Sequence, residues 1–122
     1  MPTVELTRDN FESVVTDNPM VIVDFWAPWC GPCRGFAPVF ENASQSHPDV
    51  VFAKVNTDKE QELAGSFNIR SIPTLMVFRE KVILVQQAGA MPASALEQML
   101  SKVKSADMGE VRKEIAKRDA TA

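Results

Sequence analysis

Two cysteines three residues apart are the only thiols of this chain. Cys30 and Cys33 frame Gly31-Pro32 in the stretch Trp29-Cys30-Gly31-Pro32-Cys33, directly after the apolar run from Met20 to Ala27. Behind them Phe36, Val39, Phe40 and Ala43 recur at i, i+3, i+4 and i+7, one face of a helix. The pair therefore sits where a buried strand ends and a helix begins. Positions three apart in a first helical turn bring their β-carbons to about 5–6 Å, and a small rotation from there reaches disulfide geometry. Unpaired backbone N–H groups and the positive end of the helix macrodipole lie beside the first cysteine. Both favour a thiolate, the form that attacks a disulfide. Such a site is able to make and break a disulfide bond. That chemistry requires Cys30 to be acidified and open to solvent, with Cys33 shielded one turn deeper and within bonding reach. Burial of both side chains, or a separation too wide to bond, would require that reading to be abandoned.

Other chemistries have less to work with. With both cysteines in one motif, no structural disulfide framework is left to build. A structural zinc site needs about four Cys or His ligands, and the single histidine, His47, reads as an ordinary surface loop residue in Ser44-Gln45-Ser46-His47-Pro48. At 122 residues, 45% hydrophobic and 24% charged, the chain suits one soluble globular domain. A net charge of −3 argues against nucleic acid as a partner, and no apolar run is long enough for a membrane span. The N-terminal stretch Met1-Pro2-Thr3-Val4-Glu5-Leu6 has neither a basic n-region nor an apolar h-region. If Met1 is the native start, a cytoplasmic location is expected, where a lone C-x-x-C reads as a redox pair.

The elements that position the pair follow from apolar periodicity. Val4 and Leu6 fit a short strand. Asp9 with Glu12 matches a capping box for a helix carrying Phe11, Val14 and Val15, and Asn18-Pro19 breaks it. Met20 to Ala27 is apolar on both faces, as a central strand covered on two sides should be. Pro32 is tolerated in the first turn of the motif helix, whereas Pro38 removes an interior backbone bond and predicts a kink. Val50 to Asn56 reads as a further strand. Thr57-Asp58-Lys59-Glu60 matches a capping box for a helix with Leu63, Ala64 and Phe67 inward, ending at Asn68 in a left-handed C-cap. Ile72-Pro73-Thr74 leads into the strand Leu75 to Phe78, and Arg79-Glu80-Lys81 joins it to Val82 to Val85 as an antiparallel hairpin. Gly89 marks a turn, and Leu96, Met99, Leu100 and Val103 line a last amphipathic helix with Pro92 near its start. The order β-α-β-α-β-α-β-β-α implies an α/β domain, a central mixed five-stranded sheet flanked by helices. From residue 105 to 122 the chain is mostly charged, with a thin stripe of Met108, Val111 and Ile115. Glu110 with Lys113, and Glu114 with Lys117 or Arg118, support an extra C-terminal helix. The domain is thus expected over 1–104, with a solvated helical extension after it; a docking surface for another chain is the alternative for that tail.

Taken together these residues resemble the thioredoxin family. Phe25-Trp26-Ala27-Pro28-Trp29-Cys30-Gly31-Pro32-Cys33 matches its F-W-A-x-W-C-G-P-C signature, and Ile69-Arg70-Ser71-Ile72-Pro73-Thr74 matches its I-R-x-I-P-T segment. Asp24, Pro38, Lys54 and Gly89 stand at the spacings of the family's aspartate, kink proline, lysine and groove glycine. The likeness spans roughly residues 3–104. The missing glycine in Arg79-Glu80-Lys81, the proline at position 28 and the tail are its departures.

The resemblance implies a thioredoxin-like fold and a protein-disulfide reductase. Its partners are disulfide-containing proteins and thioredoxin reductase, a flavoenzyme drawing on NADPH. No bound cofactor is implied beyond a redox-active disulfide between Cys30 and Cys33, and a monomer is expected. By that resemblance Cys30 attacks the target and Cys33 resolves the mixed disulfide. Asp24, a carboxyl in an apolar strand, should have a raised pKa. It either takes the proton of Cys33 or is a structural acid satisfied locally; the resemblance favours proton transfer. Lys54 pairs with Asp24 and tunes it, or is a surface lysine. Pro73 is expected to be cis and to face the disulfide, exposing the backbone of Ile72 to an extended substrate. Trp29, Gly31, Pro32, Ile72 and Gly89 are expected to form a flat apolar patch around Cys30, with Trp26 as core support. Two rivals stand beside this reading: a disulfide isomerase or oxidase, and a non-catalytic binding or assembly module on the same fold. Gly-Pro between the cysteines resembles the reductases.

Overall fold

A computed structural model describes residues 3–121. The strand Met20–Trp26 (β2) lies at the middle of a five-stranded sheet because nearly every one of its residues is apolar and it is covered on both sides. The other strands are Thr3–Glu5 (β1), Val51–Asn56 (β3), Thr74–Arg79 (β4) and Val82–Ala88 (β5), in the order β1-β3-β2-β4-β5. β1 and β2 both pair parallel to β3, while β4 runs antiparallel to β2 and to β5. The helices are Phe11–Asp17 (α1), Gly31–Ser46 (α2), Gln61–Ser66 (α3), Ala93–Ser105 (α4) and Met108–Thr121 (α5). The expected mixed sheet with flanking helices is thus what forms.

Alternation along β2 divides the core in two. Met20 and Ile22 pack with Phe36 and Phe40 of α2, Phe52, Leu75, Val77 and Leu96, Leu100 and Val103 of α4. Val21, Val23 and Phe25 face the other way, against Val15 of α1, Leu63 and Ala64 of α3, Met76 and Phe78. Each fully buried large side chain contributes about 1.5–3 kcal/mol, so the two layers clamp β2 from both sides. Asp24 shares the parity of Ile22 and therefore points to the face that α2 and α4 cover.

Local details depart from expectation where a polar side chain found a better partner. The helix α1 is not capped by Asp9; Asn10 is the N-cap and makes no side-chain cap bond. Its amide is spent on the preceding turn, accepting from Thr7 N–H at 2.7 Å and donating to the Glu5 carbonyl at 2.9 Å. The Thr57–Glu60 capping box does not form either. Helix α3 starts after Glu60, whose carboxylate accepts the Arg8 N–H at 2.8 Å, while Thr57 Oγ1 donates to the Trp26 carbonyl at 3.0 Å. Asn68, just after α3, does take the left-handed conformation at φ 56°. Pro38 lies inside α2, which continues to Ser46.

The β4–β5 turn is a two-residue one, with Glu80 and Lys81 at φ 51° and 71°. Glu80 compensates for the absent glycine: its N–H donates to the Pro19 carbonyl at 2.7 Å and its carboxylate pairs with Arg112 of α5 at 2.6 Å. The tail is accordingly more than a solvated helix. Met108 at its start is buried, and Arg79 donates to the Val103 and Ala106 carbonyls at 2.7 and 2.6 Å, holding the α4–α5 corner. The outer face of α5 carries the expected Glu110–Lys113 and Glu114–Lys117 pairs. His47 is no ordinary loop residue. Its ring stacks on Phe52, with Nε2 2.7 Å from Glu97 and Nδ1 2.9 Å from the Lys104 ammonium.

Candidate active site

At the end of β2 the chain turns through Ala27-Pro28-Trp29 and enters α2 with Cys30 as its N-cap. Cys30 and Cys33 are joined as a disulfide, their Cα atoms 5.2 Å apart. Gly31 and Pro32 occupy the first two helical positions, where Pro32 sacrifices no intrahelical bond. The Cys33 N–H donates to Cys30 Sγ at 3.2 Å. This is one of the orphan donors of a helix N-terminus, here aimed at sulfur.

The two side chains are 5% and 2% exposed for Cys30 and Cys33. The expectation of an open Cys30 does not hold in this disulfide state; the expectation of bonding reach does. Ala27, Trp26 and Ile72 pack against the bonded pair. The Ile72 carbonyl oxygen lies 3.7 Å from Cys30 Sγ. A disulfide sulfur carries no hydrogen, so this contact becomes a hydrogen bond only when Cys30 is a thiol. The condition that burial of both cysteines would end the redox reading is therefore corrected: openness is a demand on the dithiol form, which is the one that attacks a target, and not on the disulfide.

Asp24 is fully buried at the middle of β2, registered against Lys54 of β3 and Leu75 of β4. Among the described residues neither carboxyl oxygen has a hydrogen-bond partner. Burial pushes its pKa from the ordinary 3.8 up to about 7, opposed by the Lys54 charge. Lys54 does not reach it as an ion pair. Its ammonium lies over the Trp26 ring, 4.7 Å from the centroid, and acts on Asp24 through space.

The rest of the surround comes from two loops. The Ile72–Pro73 peptide is cis, Ile72 is half-buried against the disulfide and Pro73 is buried. Gly89, just after β5, sits at φ +101° and donates its N–H to the Pro73 carbonyl at 2.8 Å, tying the two loops together. Trp29 is 67% exposed, and Gly31 and Pro32 are exposed beside it. Asp58, which in sequence reads only as part of a helix cap, accepts the Trp29 indole N–H at 3.0 and 3.2 Å. It is presented by Asn56, whose Oδ1 accepts from the N–H groups of Asp58 and Lys59. The turn-forming string Asn56-Thr57-Asp58 was the available signal. Among the described residues no group of three or more His, Cys, Asp or Glu is arranged to hold a metal ion, and no helix is long and apolar enough to cross a membrane.

A family model described as Thioredoxin matches residues 2–102. The chain belongs to the thioredoxin family. Thioredoxin relatives extend the match: a Streptomyces coelicolor protein named "Putative thioredoxin 2" is 52% identical over 120 residues, covering 98% of this chain and 90% of its own. The thioredoxin of Bacillus subtilis is 39% identical over 103 residues, 84% of this chain and 98% of that one. In three dimensions, Plasmodium falciparum thioredoxin superimposes with a TM-score of 0.76 at 38% identity, covering 82% and 98% of the two chains. Thioredoxin-family membership and the Cys30–Cys33 pair together make this protein a thiol–disulfide oxidoreductase, a protein-disulfide reductase. The family model ends before α5, whereas the Streptomyces relative aligns across nearly the whole chain.

Proposed function

We propose that Cys30 is the attacking and Cys33 the resolving thiol in the reduction of protein disulfides. The observation that carries this division is the Cys33 N–H on Cys30 Sγ at the start of α2. A donor held there, with the positive end of the helix dipole, stabilises negative charge on Cys30. In the first step the Cys30 thiolate bonds one target sulfur, and the target's second sulfur leaves as a thiolate. Cys33, deprotonated, then attacks Cys30 Sγ and expels the first target sulfur. Two electrons pass to the target, whose thiolates take up two protons, and the protein is left as the disulfide seen here.

Asp24 suits the role of proton acceptor from Cys33. Its pKa of about 7 lies between carboxylate and thiol values, and it shares the sheet face that α2 covers. Lys54 tunes it through its field. Trp29, Gly31, Pro32, Ile72 and Gly89 form the docking patch, with the backbone of Ile72 next to cis-Pro73 offered to an extended target segment. Thioredoxin reductase, supplied by NADPH, is the partner that regenerates the dithiol. The working form is a monomer in the cytoplasm, in which residues 1–104 carry the activity and the extension from 105 is accessory.

The test is a trapping experiment. Cys33→Ser incubated with insulin should accumulate a covalent adduct through Cys30, seen by intact mass and released by dithiothreitol. Cys30→Ser should accumulate none. Adducts forming equally on Cys33 in the Cys30→Ser protein would refute the assignment of roles.

A further inference from the structure

Beside the cis-Pro73 loop lies a groove of about 330 Å³ that shares Trp29 and Ile72 with the docking patch and extends beyond it toward α3. Its lining is mostly apolar, with Trp29, Ile69, Ile72 and, from α3, Ala64 and Gly65, interrupted by the polar Thr57, Gln61 and Ser71. Arg70 is the one charged residue in its lining. That guanidinium is exposed and has no carboxylate partner among the described residues. Asp58 stands close by but outside the lining, its carboxylate engaged by the Trp29 indole N–H. The groove is contiguous with the disulfide, because Ile72 lines it and also packs against Cys30 and Cys33.

A volume of this size takes one or two side chains. Apolar walls accept the methylene stem of a long residue, and a lone guanidinium accepts a carboxylate at its tip, two parallel bonds being available to it. We propose that this groove is a specificity subsite, in which Arg70 favours protein targets carrying glutamate or aspartate beside the disulfide under attack. The proposal rests on the reductase reading and adds a substrate class to it. The chain as a whole has a net charge of −3, so an unpaired cation next to the site reverses locally the repulsion an acidic segment meets elsewhere on the surface.

The experiment uses three synthetic peptides with one internal disulfide, identical except that the residues flanking the cysteines are all Glu, all Gln or all Lys. The protein is reduced, freed of reductant and mixed with each peptide, and the rate is normalised to that of dithiothreitol. This normalisation removes the intrinsic effect of the flanking charges on the disulfide. The Glu peptide should be reduced about three- to fivefold faster than the Lys peptide at low salt, the range of one exposed charge pair. The ratio should fall toward one at about 0.5 M salt, stay in Arg70→Lys, approach one in Arg70→Gln and invert in Arg70→Glu. Lys59→Gln removes an equal charge outside the groove and should keep the preference. No preference in the unmodified protein, or one that Arg70→Gln leaves intact, overturns the proposal. Failure of the unmodified protein to reduce even the Gln peptide strikes instead at the reductase reading beneath it.

Discussion

Replacing Asp24 by asparagine should change how stability responds to pH more than it changes stability at any one pH. The carboxyl is fully buried, has no hydrogen-bond partner among the described residues, and holds its proton up to about pH 7 rather than 3.8. Because the folded pKa is the higher one, the folded state binds the proton more tightly than the unfolded chain. The penalty for ionising it is therefore nearly absent below pH 4, grows as pH rises from 4 to 7, and levels off above that. A shift of this size corresponds to about 4 kcal/mol of stability lost across the window, at 1.36 kcal/mol per pH unit. The asparagine side chain does not ionise. Its own unpaired amide costs about 1–3 kcal/mol, but equally at every pH. Urea unfolding of both proteins in the disulfide form, which keeps thiol ionisation out of the balance, should show the Asp24→Asn advantage increasing by about 4 kcal/mol between pH 4 and 8.5. Parallel curves for the two proteins would show that Asp24 is not the buried acid described here. The same variant should resolve mixed disulfides more slowly, so that trapped adduct accumulates during turnover.

Two other perturbations probe the surround. Asp58→Ala frees the exposed Trp29 indole from its anchor; KM for insulin should rise a few-fold with kcat and urea midpoint nearly unchanged, and an unaltered KM would reject a docking role for this bond. Deleting residues 107–122 removes the buried Met108 and the Arg112–Glu80 pair. Stability should drop by about 2 kcal/mol, mostly from lost apolar burial, while insulin reduction continues at its full rate.

The two sides of the sheet were legible because β2 is apolar at both parities and the helices that cover it repeat at i, i+3, i+4 and i+7. The disulfide was legible because strand end, helix start and cysteine spacing coincide within a few residues. Cap assignments failed for a common reason: a capping box is a local pattern, and Glu60 gave its carboxylate to Arg8 across 52 residues of sequence. At α1 the N-cap is Asn10 rather than Asp9, and its side-chain amide is spent on the preceding turn. His47 looked isolated in sequence because Glu97 and Lys104 approach it only after α4 docks. The anchoring of Trp29 by Asp58 was hidden for the same reason, since no periodicity links a loop to a residue 29 positions away. Lys54 was placed beside Asp24 by adjacency of their strands, yet adjacency does not say that its ammonium settles over the Trp26 ring.

Cys30 is at once the reactive atom and the N-cap of α2. Here the acceptor for the Cys33 amide is the bonded sulfur of the disulfide, and a thiolate at Cys30 is an acceptor of the same kind. On that account the first turn of α2 should keep its backbone when the pair is reduced. A catalyst that shuttles between two covalent forms in each cycle can do so on one unchanging frame, and the first-turn amides of α2 should exchange with deuterium at matching rates whether the pair is joined or parted.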